Sequence, residues 1–89
     1  GVAFRPVYGN GEKSEFRFVR IDGEDKAYYA VFNYTEDEQK TTTPLSDLGL
    51  NPSSSSAAKE LWTGKRMTIQ GEIQATLPPS DVAVFAIIR

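Results

Sequence analysis

EFRFVRIDGEDKAYYAVFNY, residues 15–34, decides the fold. Asp22-Gly23 stands between two runs rich in Phe, Val and Tyr. Asp-Gly between apolar runs is a hairpin signal, because these residues tolerate the positive φ of a tight turn. Glu15 to Asp22 therefore reads as one strand, Asp22-Gly23-Glu24-Asp25 as the turn, and Lys26 to Tyr34 as the return strand. Its aromatic and β-branched side chains suit a pleated surface. Both faces of Lys26 to Tyr34 are apolar, which predicts a central strand covered on each side.

Strands and turns continue in both directions. Ala3 to Tyr8 reads as a first strand, closed by the loop Gly9-Asn10-Gly11. Thr35 to Glu38 is an acidic turn, and Gln39 to Thr43, with three successive threonines, a half-exposed strand. Pro44 to Leu50 reads as a short helical turn that Gly49 could end. Asn51 to Ser56 is a polar loop. Lys59 to Thr63 reads as a strand around Trp62, turned by Gly64. Arg66 to Gln70 places Met67 and Ile69 on one face, and Glu72 to Leu77 points Ile73, Ala75 and Leu77 inward. Pro78-Pro79 ends that strand, and Ser80 to Arg89 reads as a last strand buried on both faces. About eight short strands at regular spacing, with no helical stripe of useful length, predict an all-β sandwich or barrel. Its expected core includes Phe18, Val31, Phe32, Leu77, Val84 and Phe85.

Composition limits the chemistry. The chain has 89 residues, enough for one domain over 1–89 but a poor host for a deep cleft within a single lobe. It has no cysteine and no histidine. Disulfides, thiolate metal sites and the commonest general base are thereby excluded. Ten basic and 12 acidic residues give a net charge of −2. The densest basic spot is Lys65-Arg66, so a nucleic-acid partner is not expected. The longest apolar run, Val82 to Ile88, is far short of the roughly 20 residues of a spanning helix, and no membrane partner is expected. Residues 1–21 contain no apolar core of a signal peptide.

Each candidate motif has a plain structural reading. Gly9-Asn10-Gly11 begins like a dinucleotide fingerprint, but Ser14 stands where the third glycine belongs, so a turn is expected and no cofactor. Ten carboxylates could be considered for acid–base work: Asp22, Glu24, Asp25, Glu36, Asp37, Glu38, Asp47, Glu60, Glu72 and Asp81. Nearly all fall in turns or on polar strand faces, where charges are solvated. Asp22 and Asp25 lack the regular ligand spacing of a calcium loop, so no metal site is expected. Ser53 to Ser56 have no histidine to activate them. Asn33-Tyr34-Thr35 matches a glycosylation acceptor, although Asn33 also suits a strand end where it bonds nearby backbone. Trp62, the only tryptophan, reads first as core or interface packing, with stacking on a sugar ring the alternative.

Three segments in order carry a family resemblance. The first runs from Tyr29-Ala30-Val31-Phe32-Asn33 through the acidic turn to Pro44-Leu45-Ser46-Asp47-Leu48-Gly49-Leu50. The second is Lys59-Glu60-Leu61-Trp62-Thr63-Gly64-Lys65. The third is Ala75-Thr76-Leu77-Pro78-Pro79-Ser80-Asp81-Val82-Ala83-Val84-Phe85. Their order and spacing over Lys26 to Arg89 resemble the C-terminal β-sandwich domain of α-galactosidase-like (melibiase-type) glycoside hydrolases. Ser80 departs from the pattern, since many relatives carry histidine there. The resemblance implies an all-β fold, an antiparallel β-sandwich of about eight short strands with Greek-key-like order, and catalysis by two aspartates on a preceding (β/α)8 barrel absent from this chain. No family catalytic residue can then be assigned here.

The expected role is a non-catalytic accessory domain packed on that barrel. Leu48, Leu50, Leu61 and Trp62 are the expected apolar patch for it, a patch that would also allow self-association. A carbohydrate-binding module and a protein-interaction sandwich of the fibronectin type stay open as alternatives. The compartment is not set by the sequence, a secreted or periplasmic parent enzyme being one option.

Overall fold

A computed structural model describes residues 3–23, 26–51 and 55–88. Among them are eight strands: β1 (Arg5–Gly9), β2 (Glu12–Ile21), β3 (Lys26–Phe32), β4 (Gln39–Pro44), β5 (Ser55–Glu60), β6 (Arg66–Gln70), β7 (Glu72–Leu77) and β8 (Val82–Ile88). A 3-10 turn, Leu45–Leu48, follows β4. The strands hydrogen-bond in the order β1-β2-β3-β8-β5-β6-β7-β4, and every pairing is antiparallel. β6 and β7 share one pair only, Gln70 opposite Glu72, across Gly71 at φ 78°. The ladder folds over at that glycine. The larger sheet is thus β1-β2-β3-β8-β5-β6, and β7 with β4 forms the second layer of the sandwich. β4 to β7 have the Greek-key arrangement, since the first of these four strands lies beside the last.

Local chemistry sets the turns. Asn10 and Gly11 have φ of 53° and 79° and join β1 to β2 in a two-residue hairpin, with Gly9 opposite Glu12. Two positive φ values give a turn whose twist matches that of the strands, so the Gly-Asn-Gly cluster is a turn. At the end of the 3-10 turn Gly49 adopts the left-handed conformation, φ 80°, and its N–H donates to the carbonyls of Leu45 and Ser46. Leu45 and Leu48 are thereby driven fully into the core.

The core lies between the two layers. Val19 on β2, Ala27, Tyr29 and Val31 on β3, and Phe85 and Ile87 on β8 come from the large sheet. Ile73, Ala75 and Leu77 face them from β7. Tyr29 and Phe85 are register partners and their rings stack at 6.2 Å. Tyr29 carries a hydroxyl into this core. It shares a 2.8 Å hydrogen bond with the buried Thr43 hydroxyl of β4, to which Arg17 Nη1 also donates. Burial pushes the Tyr29 pKa up, and the bond to Thr43 opposes that shift. The pair ties the two layers together with a polar contact inside an apolar core.

Several expectations are corrected. Phe18, Phe32 and Val84 are half-buried rather than core, because they have the opposite parity to Val19, Val31 and Phe85. Val31, Leu77 and Phe85 are core as expected. β5 starts at Ser55 and ends at Glu60, so Trp62 lies in the following turn and not in a strand. Ser56, read as loop, is a buried strand residue. Leu48 and Leu50 are buried, and so cannot belong to an exposed patch. β3 and β8 are central, but only one face of each packs into the main core; on the other face Ala30 and Ala86 are buried by their neighbours and Phe32, Val82 and Val84 are half-buried. The turn residues Glu24 and Asp25, and the serines Ser53 and Ser54, lie outside the described residues.

Candidate functional site

The uncovered face of the large sheet is apolar. Register places its side chains in rows. Phe18, Ala30 and Val84 form one row across β2, β3 and β8, and Phe32 and Val82 form the next. Arg20, Tyr28, Ala86 and Lys59 form a third row, on the other side of the first. The Phe18 and Phe32 rings meet edge to face at 5.8 Å, and Tyr34 stacks on Phe32 at 5.7 Å. Leu61 donates its N–H to Val84 O and is 44% exposed. Ala30 and Ala86 leave a floor of small side chains between larger ones. Apolar groups of this size would ordinarily be inside a protein, and a contiguous exposed group of them marks an interaction surface.

One corner of that face is cationic. The Arg20 guanidinium lies 5.7 Å from the Tyr28 ring centre, and the Lys26 ammonium lies 5.4 Å from it. Hydrogen bonding to Tyr28 holds the Lys26 ammonium above its ordinary pKa. Arg20 Nε is buried and has no hydrogen-bond partner among the described residues. A buried unpaired donor is costly, and Arg17 Nε on the same strand is in the same state.

Trp62 sits on a turn built by one carboxylate. Glu60 accepts the N–H of Trp62 at 3.1 Å and that of Thr63 at 2.7 Å. Gly64 N–H closes the turn on Glu60 O at 2.8 Å, with φ 74° at Gly64. These bonds take the N–H groups of 62 and 63 out of any strand ladder, which is why β5 stops at Glu60. Desolvation pushes the Glu60 pKa up, but the Thr63 hydroxyl and the N–H groups of Thr63 and Trp62 outweigh it and leave the pKa lowered. The indole is 70% exposed, so it packs in no core. Beside it is a groove of about 520 Å3 between β6, β7 and the start of β8, with Met67, Pro78 and Ala83 as accessible apolar lining.

Glu60 and Asp81 both line that groove. A glycosidase acid must hold its proton near neutral pH, which requires a raised pKa. Glu60 has a lowered one, and its oxygens are occupied by backbone N–H groups. Asp81 Oδ1 accepts the N–H of Val82. Both carboxylates therefore shape local backbone. Glu36, Asp37, Glu38 and Glu72 are exposed, and Asp47 is half-buried beside β1. Among the described residues no group of three or more His, Cys, Asp or Glu could hold a metal ion.

Asn33 is a structural hub that the sequence shows only in part. It is 3% exposed. Its Nδ2 donates to the carbonyls of Asp37, Leu77 and Pro78 at 2.8, 3.2 and 3.0 Å. Its Oδ1 accepts both the N–H and the hydroxyl of Thr35. The bonds to Thr35 and Asp37 are the nearby-backbone contacts expected of a strand-end asparagine. The bonds to Leu77 and Pro78 join distant segments, and no local signal could have revealed them. With its amide buried and fully bonded, Asn33 is closed to glycan attachment in this fold.

Comparison with known proteins extends these observations. No curated protein sequence matches the chain. Solved structures do. α-Galactosidase I from Mortierella vinacea superposes with a TM-score of 0.75 at 13% identity, over 94% of this chain and 22% of that one. A GH27 β-L-arabinopyranosidase from Geobacillus stearothermophilus, solved with arabinose, gives 0.77 at 21%, over 98% and 20%. An α-amylase from Geobacillus thermoleovorans, solved with acarbose, gives 0.67 at 14%, over 99% and 18%. At these identities the likeness is one of fold, and the chain spans about a fifth of each enzyme. The sequence itself matches a family model over residues 21–87, most of its length. The chain belongs to the alpha galactosidase C-terminal beta sandwich domain family.

Proposed function

We propose that this chain is the non-catalytic accessory domain of an α-galactosidase-like glycoside hydrolase, and that it packs the uncovered face of its large sheet against the catalytic (β/α)8 barrel. One observation carries this reading. β3 and β8 are apolar on both faces, yet only one packs into the main core. Phe18, Phe32, Val82 and Val84 stay half-buried, with solvent on one side, around the buried Ala30 and Ala86. A domain measuring 36 × 30 × 27 Å offers a face large enough for the roughly 800 Å2 that a stable interface takes from each partner. Phenylalanine, valine and alanine provide few hydrogen-bonding groups, so the face suits a protein better than a sugar. The barrel surface opposite would be apolar, with a carboxylate or carbonyl facing Arg20. The role is to stabilise: burying this face adds a hydrophobic contribution to the folded parent that neither part has alone.

The test uses the parent enzyme. Val84→Lys places a charge in the middle of the face while leaving the core untouched. It should lower the melting temperature of the catalytic domain and leave the turnover of the folded enzyme near wild type. An unchanged melting temperature would contradict the docking face.

A further inference from the structure

The groove beside Trp62 is not used by the docking reading, since it opens between the layers, on the inner side of β8. Its chemistry is mixed. Met67, Pro78 and Ala83 give it an accessible apolar lining, and the exposed Lys65 and Gln74 bring donors and an acceptor to the rim. Its volume, about 520 Å3, is in the range of small-molecule sites, roughly 300–1,000 Å3. Trp62 stands at the edge, and its loop is fixed in advance by Glu60, Thr63 and Gly64. A loop held this way loses little freedom when its indole is covered.

We propose that this groove is a binding site for a neutral galactoside, with Trp62 as its stacking platform. In galactopyranose the axial 4-hydroxyl leaves the C3, C4 and C5 hydrogens on one side of the ring. That side is an apolar patch suited to an indole face. The hydroxyls around the ring edge need donors and acceptors, and Gln74 offers both while Lys65 donates. The accessible apolar lining of Met67 and Pro78 takes the second ring of a disaccharide. No bond is made or broken at this site, because Glu60 and Asp81 are engaged by backbone. The choice of a galactoside rests on the enzyme class proposed above, and the geometry of the site does not.

The 89-residue chain itself is the material for the test, with melibiose as the probe and maltose as the comparison sugar. Calorimetry and Trp62 fluorescence should report saturable melibiose binding with a Kd of about 1 mM. Trp62→Ala, at an exposed position, should keep the wild-type circular dichroism and weaken calorimetric binding about tenfold. Gln74→Ala should weaken it less, and Val84→Lys should leave it unchanged. No saturable heat with melibiose would overturn the proposal, as would undiminished binding by Trp62→Ala. Equal binding of maltose would overturn the choice of sugar. None of these outcomes bears on the docking face, which is read from the melting temperature of the parent.

Discussion

At the residue scale, Asn33 is a buried polar hub. One amide joins the end of β3, the acidic turn and the segment after β7. Asn33→Asp would set a carboxylate against three carbonyl oxygens. It should destabilise the chain by about 3 kcal/mol, enough to lower the melting temperature by 10 °C or more. A thermal melt followed by circular dichroism decides it. Glu60 offers a different test. Its folded pKa lies below the ordinary 4.5, so its bonds to Trp62 and Thr63 stabilise the turn above that pH. They are lost as pH falls through the lowered value. Trp62 fluorescence should therefore titrate below pH 4.5, and Glu60→Gln should remove that transition. Such chemistry was partly legible. A strand-end asparagine can be read from Asn33-Tyr34-Thr35, but its bonds to Leu77 and Pro78 span more than 40 residues. The folding over of the glutamate onto 62 and 63 leaves no pattern in the sequence.

At the scale of elements, turn chemistry was the most readable signal. Asn10-Gly11 and Gly49 each hold a positive φ that few other residues accept, and each sits where the chain turns. The alternation over Glu72–Leu77 gives β7 and its inner face correctly, because its polar and apolar residues differ in kind. β3 and β8 carry apolar residues at both parities. Which parity faces the core depends on cross-strand register and on where β7 lies, and neither is a local property. Phe18, Phe32 and Val84 were assigned to the core for that reason. The corrected parity has a measurable consequence. Phe85→Ala should cost about 3–5 kcal/mol in the isolated chain, since Phe85 is 3% exposed. Phe18→Ala, on the open face, should cost about 1 kcal/mol. Equal losses in urea denaturation would contradict the assignment of the two faces.

At the scale of the molecule, the same ambiguity becomes informative. A sequence that is apolar on both faces of its central strands predicts cover on both sides, and this chain supplies one. Leu48 and Leu50 were expected in a docking patch, but the 3-10 turn drives them inward as a plug against β1 and β4. The proposed docking surface is instead made of residues expected in the core, Phe18, Phe32 and Val84. The family resemblance carried the fold, while the location of the face needed the register. The two carboxylates that line the groove, Glu60 and Asp81, both accept backbone N–H groups, in keeping with a structural use of each.

The most direct measurement is association of the 89-residue chain with the separately produced catalytic domain of its parent, followed by calorimetry. The wild-type chain and a Thr42→Lys control on the exposed side of β4 should bind alike, while Val84→Lys should not bind. Equal binding by Val84→Lys, or no binding by the wild-type chain, would contradict the claim that the open face of the large sheet is the docking surface.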